Sequence, residues 1–231
     1  KMTPADLRIK DNLEHIRSRI ASALSRAGRP DRSTQLIAVS KKFSDELIRQ
    51  AYASGQKHFG ENYVQEAISK IDKLRDLPLE WHFIGPIQSN KTKQIATKFD
   101  WVHSVDRLKI AQRLSEGRSE SRHSLKVCLQ VNITGEESKQ GCRVADLFEL
   151  AYLVEQLPHL ELRGLMTMPK ANASAQEVVD TFRRLGQLKN TLNQEVFELD
   201  VLSMGMSDDL EIGIQEGATF VRVGRGIFGD R

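Results

Sequence analysis

Over 3–27 the apolar positions Leu7, Ile9, Leu13, Ile16, Ile20 and Leu24 recur at helical spacing, between a Thr3-Pro4 start signal and a Gly28-Arg29-Pro30 stop, so this stretch reads as an amphipathic helix. Beyond it, short apolar runs alternate with longer amphipathic ones, as expected when strands alternate with helices in a parallel sheet. The runs that read as strands are 36–40, 57–60, 81–85, 101–105, 125–133, 160–168, 201–204 and 220–224. Helices are expected to begin near Ser44, Asn62, Gln88, Asp106, Val144, Ser174 and Ser207, several of them opened by a Ser, Asp or Asn that can accept bonds from free backbone N–H groups.

Eight strands separated by seven helices is the count of an α/β fold of the (β/α)8 TIM-type barrel, whose usual length is about 250 residues. The 231 residues then make one domain, 1–231. Few residues follow the eighth strand, so the N-terminal helix is expected to close the barrel over the seam between its first and last strands. An open doubly wound sheet is the competing fold, and the strand count argues against it.

Composition narrows the class. With 39% hydrophobic and 28% charged residues, and 34 Lys and Arg against 31 Asp and Glu for a net charge of +3, the chain is an ordinary globular protein. No apolar run approaches the roughly 20 residues that cross a bilayer, so no membrane partner and no signal peptide are expected. The two cysteines, Cys128 and Cys142, form neither a disulfide framework nor a zinc motif, which points to a reducing, cytoplasmic setting. Basic residues are interspersed with acidic ones, so nucleic acid is not an expected partner.

A barrel places its chemistry at the C-terminal ends of its strands, with phosphate commonly bound after strands seven and eight. The first strand ends in Ser40-Lys41-Lys42; in period two Ile37, Val39 and Lys41 share one face and Ala38, Ser40 and Lys42 the other, so one of the two lysines points into the barrel. After the seventh strand, Ser207 is placed to cap the next helix and to bond a phosphate oxygen. After the eighth, Gly224 and Gly226 let backbone approach a ligand, while Arg222 lies on the face opposite Val221 and Val223 and needs an acceptor inside. His82, Glu61, Asn62 and Asn132 add polar groups at the same rim. Gln130 and Asn132 face inward and Val127, Leu129 and Val131 outward, while Met166 and Met168 either flank a flat ring or fill the core.

These strings closely resemble the pyridoxal phosphate homeostasis proteins, similar in fold to the barrel domain of alanine racemase. The matching segments, in order, are AVSK at 38–41, HFGENYVQE at 58–66, HFIGPIQSNK at 82–91, QVNI at 130–133, GLMTMP at 164–169, LSMGMSDD at 202–209 and RVGRGIFG at 222–229. The resemblance implies a fold-type III barrel that binds pyridoxal 5'-phosphate (PLP). It makes Lys41, rather than Lys42, the lysine of the internal Schiff base. Ser207 and the backbone of Gly224 and Arg225 would hold the phosphate, Arg222 would face the pyridine nitrogen, and Asn62 would contact the ring hydroxyl side. Arg225 stands where the family often has threonine, so its backbone N–H is the expected contact. Burial beside Arg222 is expected to keep the Lys41 amine neutral and nucleophilic.

The function so implied is intracellular PLP (vitamin B6) homeostasis and amino-acid balance, the protein holding PLP without robust catalysis, as a monomer, with PLP-dependent apoenzymes as recipients. The alternative is a PLP-dependent amino-acid racemase. That activity needs a second acid/base on the opposite ring face, which alanine racemases take from a tyrosine of a separate domain. With Arg231 close behind the eighth strand, that domain is not expected here, and Tyr52, Tyr63 and Tyr152 fall in expected helices. Lys139 and Cys142, in the loop after the fifth strand, are read as parts of an exposed loop.

Overall fold

The computed structural model describes residues 3–120, 122–137 and 140–231. Helix α1 spans Pro4–Arg26 and is fixed at its start by a capping box: Asp6 N donates to Thr3 Oγ1 at 3.1 Å, and Thr3 N donates to Asp6 Oδ2 at 2.6 Å. Pro4 takes the first helical position, where a missing N–H costs nothing. Ile9, Leu13, Ile16, Ile20 and Leu24 form its buried stripe, whereas Leu7 is exposed.

The strands are β1 (Gln35–Val39), β2 (His58–Glu61), β3 (Glu80–Phe83), β4 (Trp101–Val105), β5 (Leu125–Asn132), β6 (Cys142–Arg143), β7 (Leu160–Met166), β8 (Val201–Ser203) and β9 (Phe220–Val223). They pair in the order β4-β3-β2-β1-β9-β8-β7-β5, and β4 pairs with β5 to close the ring. All these pairings are parallel, so the fold is the eight-stranded barrel expected from the sequence. The additional β6 pairs with the end of β5, outside the ring. It overturns one expectation: Cys142 is buried in this strand rather than lying in an exposed loop, and burial pushes its thiol up to about 12. Lys139 lies outside the described residues.

The helices that follow the strands are α2 (Asp45–Ala53), α3 (Val64–Lys73), α4 (Thr92–Lys98), α5 (Leu108–Gly117), α6 (Leu147–Glu155), α7 (Ala175–Glu195), α8 (Leu210–Gln215) and a single turn, α9 (Arg225–Phe228). Helix α1 covers the seam between β1 and β9 as expected. Arg17 Nη1 donates to Ser54 O past the end of α2 at 2.9 Å, Arg19 pairs with Glu211 of α8 at 2.7 Å, and Asn12 Nδ2 donates to Ile227 O of α9 at 2.9 Å.

Period-two alternation builds two layers. Val127, Leu129, Val131, Val221 and Val223 join the large apolar cluster between sheet and helices, where burial of each such side chain contributes roughly 1.5–3 kcal/mol. The opposite face supplies a small inner cluster of Ile37, Trp101, Cys128, Met166, Val201 and Phe220. Met166 is thus barrel filler, while Met168 and Met206 are exposed.

Candidate functional site

Lys41 stands one residue past the end of the β1 ladder, which Ser40 extends by donating its N–H to Gly60 O at 2.9 Å. Alternation with inward-facing Ile37 directs Lys41 over the barrel mouth. The next residue, Lys42, is exposed and adopts φ 65°, and its N–H is held by Glu66 of α3 at 2.8 and 3.1 Å. Behind this turn lies a polar network that sequence reading missed. Glu61, completely buried, accepts from Ser40 Oγ and from Lys70 Nζ, and Lys70 also donates to Ser40 O at 2.7 Å. Glu61 was expected at the open rim; it faces α3 instead, because it follows inward-facing Gly60 by one residue. The only sequence signal for this network was the helical spacing of Glu66 and Lys70.

The Lys41 amine is half-buried and held below the ordinary lysine range by burial first, then by Arg231, Lys42 and Arg225. Arg222, the neighbour anticipated for this effect, is not among the causes. Arg231, which sequence reading did not single out, donates from Nε to Lys41 O at 3.4 Å and sets its guanidinium 5.6 Å from the Phe43 ring centre.

Asn62 follows β2, with its backbone pressed against Gly85: a Cβ at Gly85 would lie 2.5 Å from Asn62 O. Only glycine permits that approach. Arg222 enters the barrel from β9, 2% exposed, with Nη2 at 3.4 Å from Thr167 O. Burial lowers its guanidinium to about 10 against the opposing pull of Asp209, so it stays charged at neutral pH. Among the described residues, four buried side-chain atoms have no hydrogen-bond partner: Asn62 Oδ1 and Arg222 Nε at this site, and Gln50 Oε1 on α2 and Trp101 Nε1 on β4 elsewhere. Such orphans are uncommon and point to a missing acceptor or donor.

The side expected to hold phosphate departs from the sequence reading in one respect. Ser207 does not cap a helix: α8 starts at Leu210, with Asp209 at the N-cap position. Asp209 accepts from Met206 N at 2.6 Å, closing a turn that contains Ser207, and Ser207 O accepts from Arg19 Nη2 at 2.8 Å. An Asp side chain satisfies such a turn locally, which displaces the helix start along the chain. Gly224 is the N-cap of α9; a Cβ there would lie 3.1 Å from Val39 O. The N–H groups of Arg225 and Gly226 open this turn, where no intrahelical acceptor reaches them.

Lys41, Asn62, Ser207, Arg222, Gly224 and Arg225 thus follow or end β2, β1, β9 and β8, which are consecutive around the ring. Other rim candidates do not join them. Asn132 is occupied by its own loop, accepting from Gly135 N at 3.0 Å and donating to Glu136 O at 2.7 Å. His82 is fully buried between two other histidines. Tyr63 is not helical but sits at the N-cap of α3, exposed, with Lys42 Nζ 5.9 Å from its ring centre. A dianion among Lys41, Arg225 and Arg231, a carbonyl at the Lys41 amine, and polar ring atoms at Arg222 and Asn62 satisfy the unpaired groups of this site. An aromatic aldehyde phosphate has this set of groups, so the residues present fit PLP.

Residues 12–231 match the family described as alanine racemase, N-terminal domain. The pyridoxal phosphate homeostasis protein of Pseudomonas aeruginosa is 54% identical over 223 residues, covering 96% of this chain and 96% of that protein. PipY of Synechococcus elongatus PCC7942, solved with PLP bound, has a TM-score of 0.81 at 43% identity, covering 91% of this chain and 100% of the other. Alanine racemase from Corynebacterium glutamicum, at 18% identity and TM-score 0.68, covers 96% of this chain and 61% of its own, a likeness of fold. Fold and site together define a (β/α)8 barrel of the alanine racemase N-terminal type. Within it, the chain belongs to the pyridoxal phosphate homeostasis protein family.

Proposed function

We propose that this protein binds PLP over the ends of β2, β1, β9 and β8, holds it as a Schiff base on Lys41, and serves intracellular PLP homeostasis and amino-acid balance without robust catalysis. It acts in the cytoplasm as a monomeric 1–231 domain that passes PLP to dependent apoenzymes. The observation that carries this reading is that two buried unpartnered atoms, Asn62 Oδ1 just past β2 and Arg222 Nε on β9, stand on either side of Lys41 at the end of β1.

When bound, the cofactor supplies an aldehyde that condenses with a neutral amine and a ring that withdraws electrons. Lys41 offers that amine, because burial and three neighbouring cations disfavour its charged form. The backbone of Gly224 and Arg225, with the Gly226 N–H and Ser207 Oγ, serves the phosphate, and the surrounding cations balance its charge. Asn62 and Arg222 fix the ring's polar edge. A permanently charged arginine opposes protonation at that edge, which weakens the electron withdrawal that racemisation needs.

Purified protein mixed with PLP is expected to develop a visible imine band with one equivalent bound per chain, and to racemise alanine, serine and glutamate no faster than free PLP does. No band, or turnover at the roughly 1–1000 s⁻¹ of ordinary enzymes, contradicts this reading.

A further inference from the structure

From the N-terminal end of β2 into the barrel, away from Lys41, three histidines make a continuous chain. His58 Nδ1 lies 2.9 Å from His82 Nε2, His82 Nδ1 lies 2.8 Å from His103 Nε2, and His103 Nδ1 lies 2.7 Å from Ser203 Oγ. Glu80 Oε2 approaches the same His58 Nδ1 at 3.1 Å. That carboxylate fixes the polarity of the chain. A bare Nδ1 would face the carboxylate lone pair to lone pair, so His58 carries its proton on Nδ1, and His82 Nε2 must accept. His82 then donates from Nδ1 to His103, which donates to Ser203. Glu80, His58 and His82 thus bring their ligand atoms within 4.8 Å of one another.

We propose that Glu80, His58 and His82 form a binding site for a divalent transition-metal ion of the zinc class. Two imidazoles and one carboxylate are a donor set used by such ions, and not one suited to magnesium or calcium. The separations of 2.9 and 3.1 Å are near the edge of about 3.3 Å for tetrahedral bonds of about 2.0–2.1 Å, so the ligands open by a few tenths of an ångström to admit the ion. The neutral His58 passes its proton from Nδ1 to Nε2 as the metal takes its place, and no proton is lost. His82 already has what a metal-bound histidine requires, a hydrogen bond from its other nitrogen that orients the ring, here to His103, and Trp101 stacks at 13° on its face.

Access is available. His58 lines a cavity of about 730 Å³ at the N-terminal ends of β1 and β2, with Arg17, Leu36, Gln56 and Lys57, and Glu80 is 43% exposed. The exposed side of Glu80 leaves room for solvent to supply the remaining ligands. Lys57 and Lys126 oppose a cation there, and Glu80 and Asp100 favour it. The site uses none of the residues assigned to PLP, so it stands or falls separately from the cofactor reading.

Tag-free protein, freed of metal by dialysis against chelator, is to be titrated with Zn²⁺ by calorimetry and with Co²⁺ by visible absorption. One equivalent per chain is expected, with d–d bands of a four- or five-coordinate cobalt ion. Glu80→Gln and His58→Ala should each weaken Zn²⁺ binding more than about tenfold while leaving the far-UV circular dichroism and PLP uptake unchanged. Lys126→Met should tighten it, an effect that structural damage would not imitate. Absence of binding at about 100-fold excess metal, or equal affinity in the Glu80→Gln and Lys126→Met variants, overturns the proposal.

Discussion

Lys70 and Glu61 form an ion pair of 3.1 Å between the sheet and α3, and Ser40, the residue before Lys41, is hydrogen-bonded to both. The turn that presents Lys41 is thus held from behind by charged groups out of reach of water. Burial pushes the Glu61 carboxyl from 4.5 up to about 7, against the pull of Lys70 and Ser40. Between those values the folded chain keeps a proton on Glu61 that the unfolded chain has lost. The resulting stabilisation is fully present below the unfolded value and is lost as pH rises toward 7. Urea unfolding at about pH 5 and about pH 8 should show this decline, and Glu61→Gln should flatten it; an unchanged slope in the variant would assign the pH dependence elsewhere.

Arg222 bears a buried charge with one N–H unpaired, an arrangement that costs the empty protein stability. Arg222→Met, similar in length and apolar, is therefore expected to leave urea stability unchanged or to raise it by about 1 kcal/mol or more. PLP affinity, measured by equilibrium dialysis, should fall at least tenfold. Loss of stability together with affinity would mean that the arginine serves the fold.

The barrel was legible because period-two alternation and a count of apolar runs are both local signals, and all eight ring strands fell within or beside the runs read from sequence. Arg222 was legible for the same reason, since Val221 and Val223 define the other face of its strand. What escaped depended on contacts across the chain. Glu61 was misplaced because its partner Lys70 lies on the following helix, and Arg231 was overlooked because nothing local ties the last residue to Lys41. The start of α8 was misjudged because Asp209, not Ser207, closes the turn before it.

Gly85 sets the position of Asn62 by letting the two backbones meet. Gly85→Ala would place a methyl 2.5 Å from Asn62 O, with an expected cost of about 1–3 kcal/mol. Because the displaced residue carries a proposed cofactor contact, PLP affinity should fall further than in Asn62→Ala. Equal affinities in the two variants would mean that the backbone position is immaterial to binding.

Among the charges that hold the Lys41 amine below its ordinary value, Arg231 acts most strongly. Replacing it with glutamine removes one repulsion, so the amine should regain protons at higher pH. The midpoint of imine formation in a pH series should move upward in Arg231→Gln, with slower uptake of PLP at neutral pH. A midpoint that stays fixed would show that Arg231 does not govern this lysine.

The central claim is that Lys41, and not its neighbour Lys42, carries the cofactor. Borohydride reduction of the PLP-loaded protein followed by peptide mass spectrometry tests it directly. The account requires a reduced pyridoxyl adduct on Lys41, absent from Lys41→Ala and retained in Lys42→Ala. An adduct on Lys42, one on any other lysine, or none at all would contradict it.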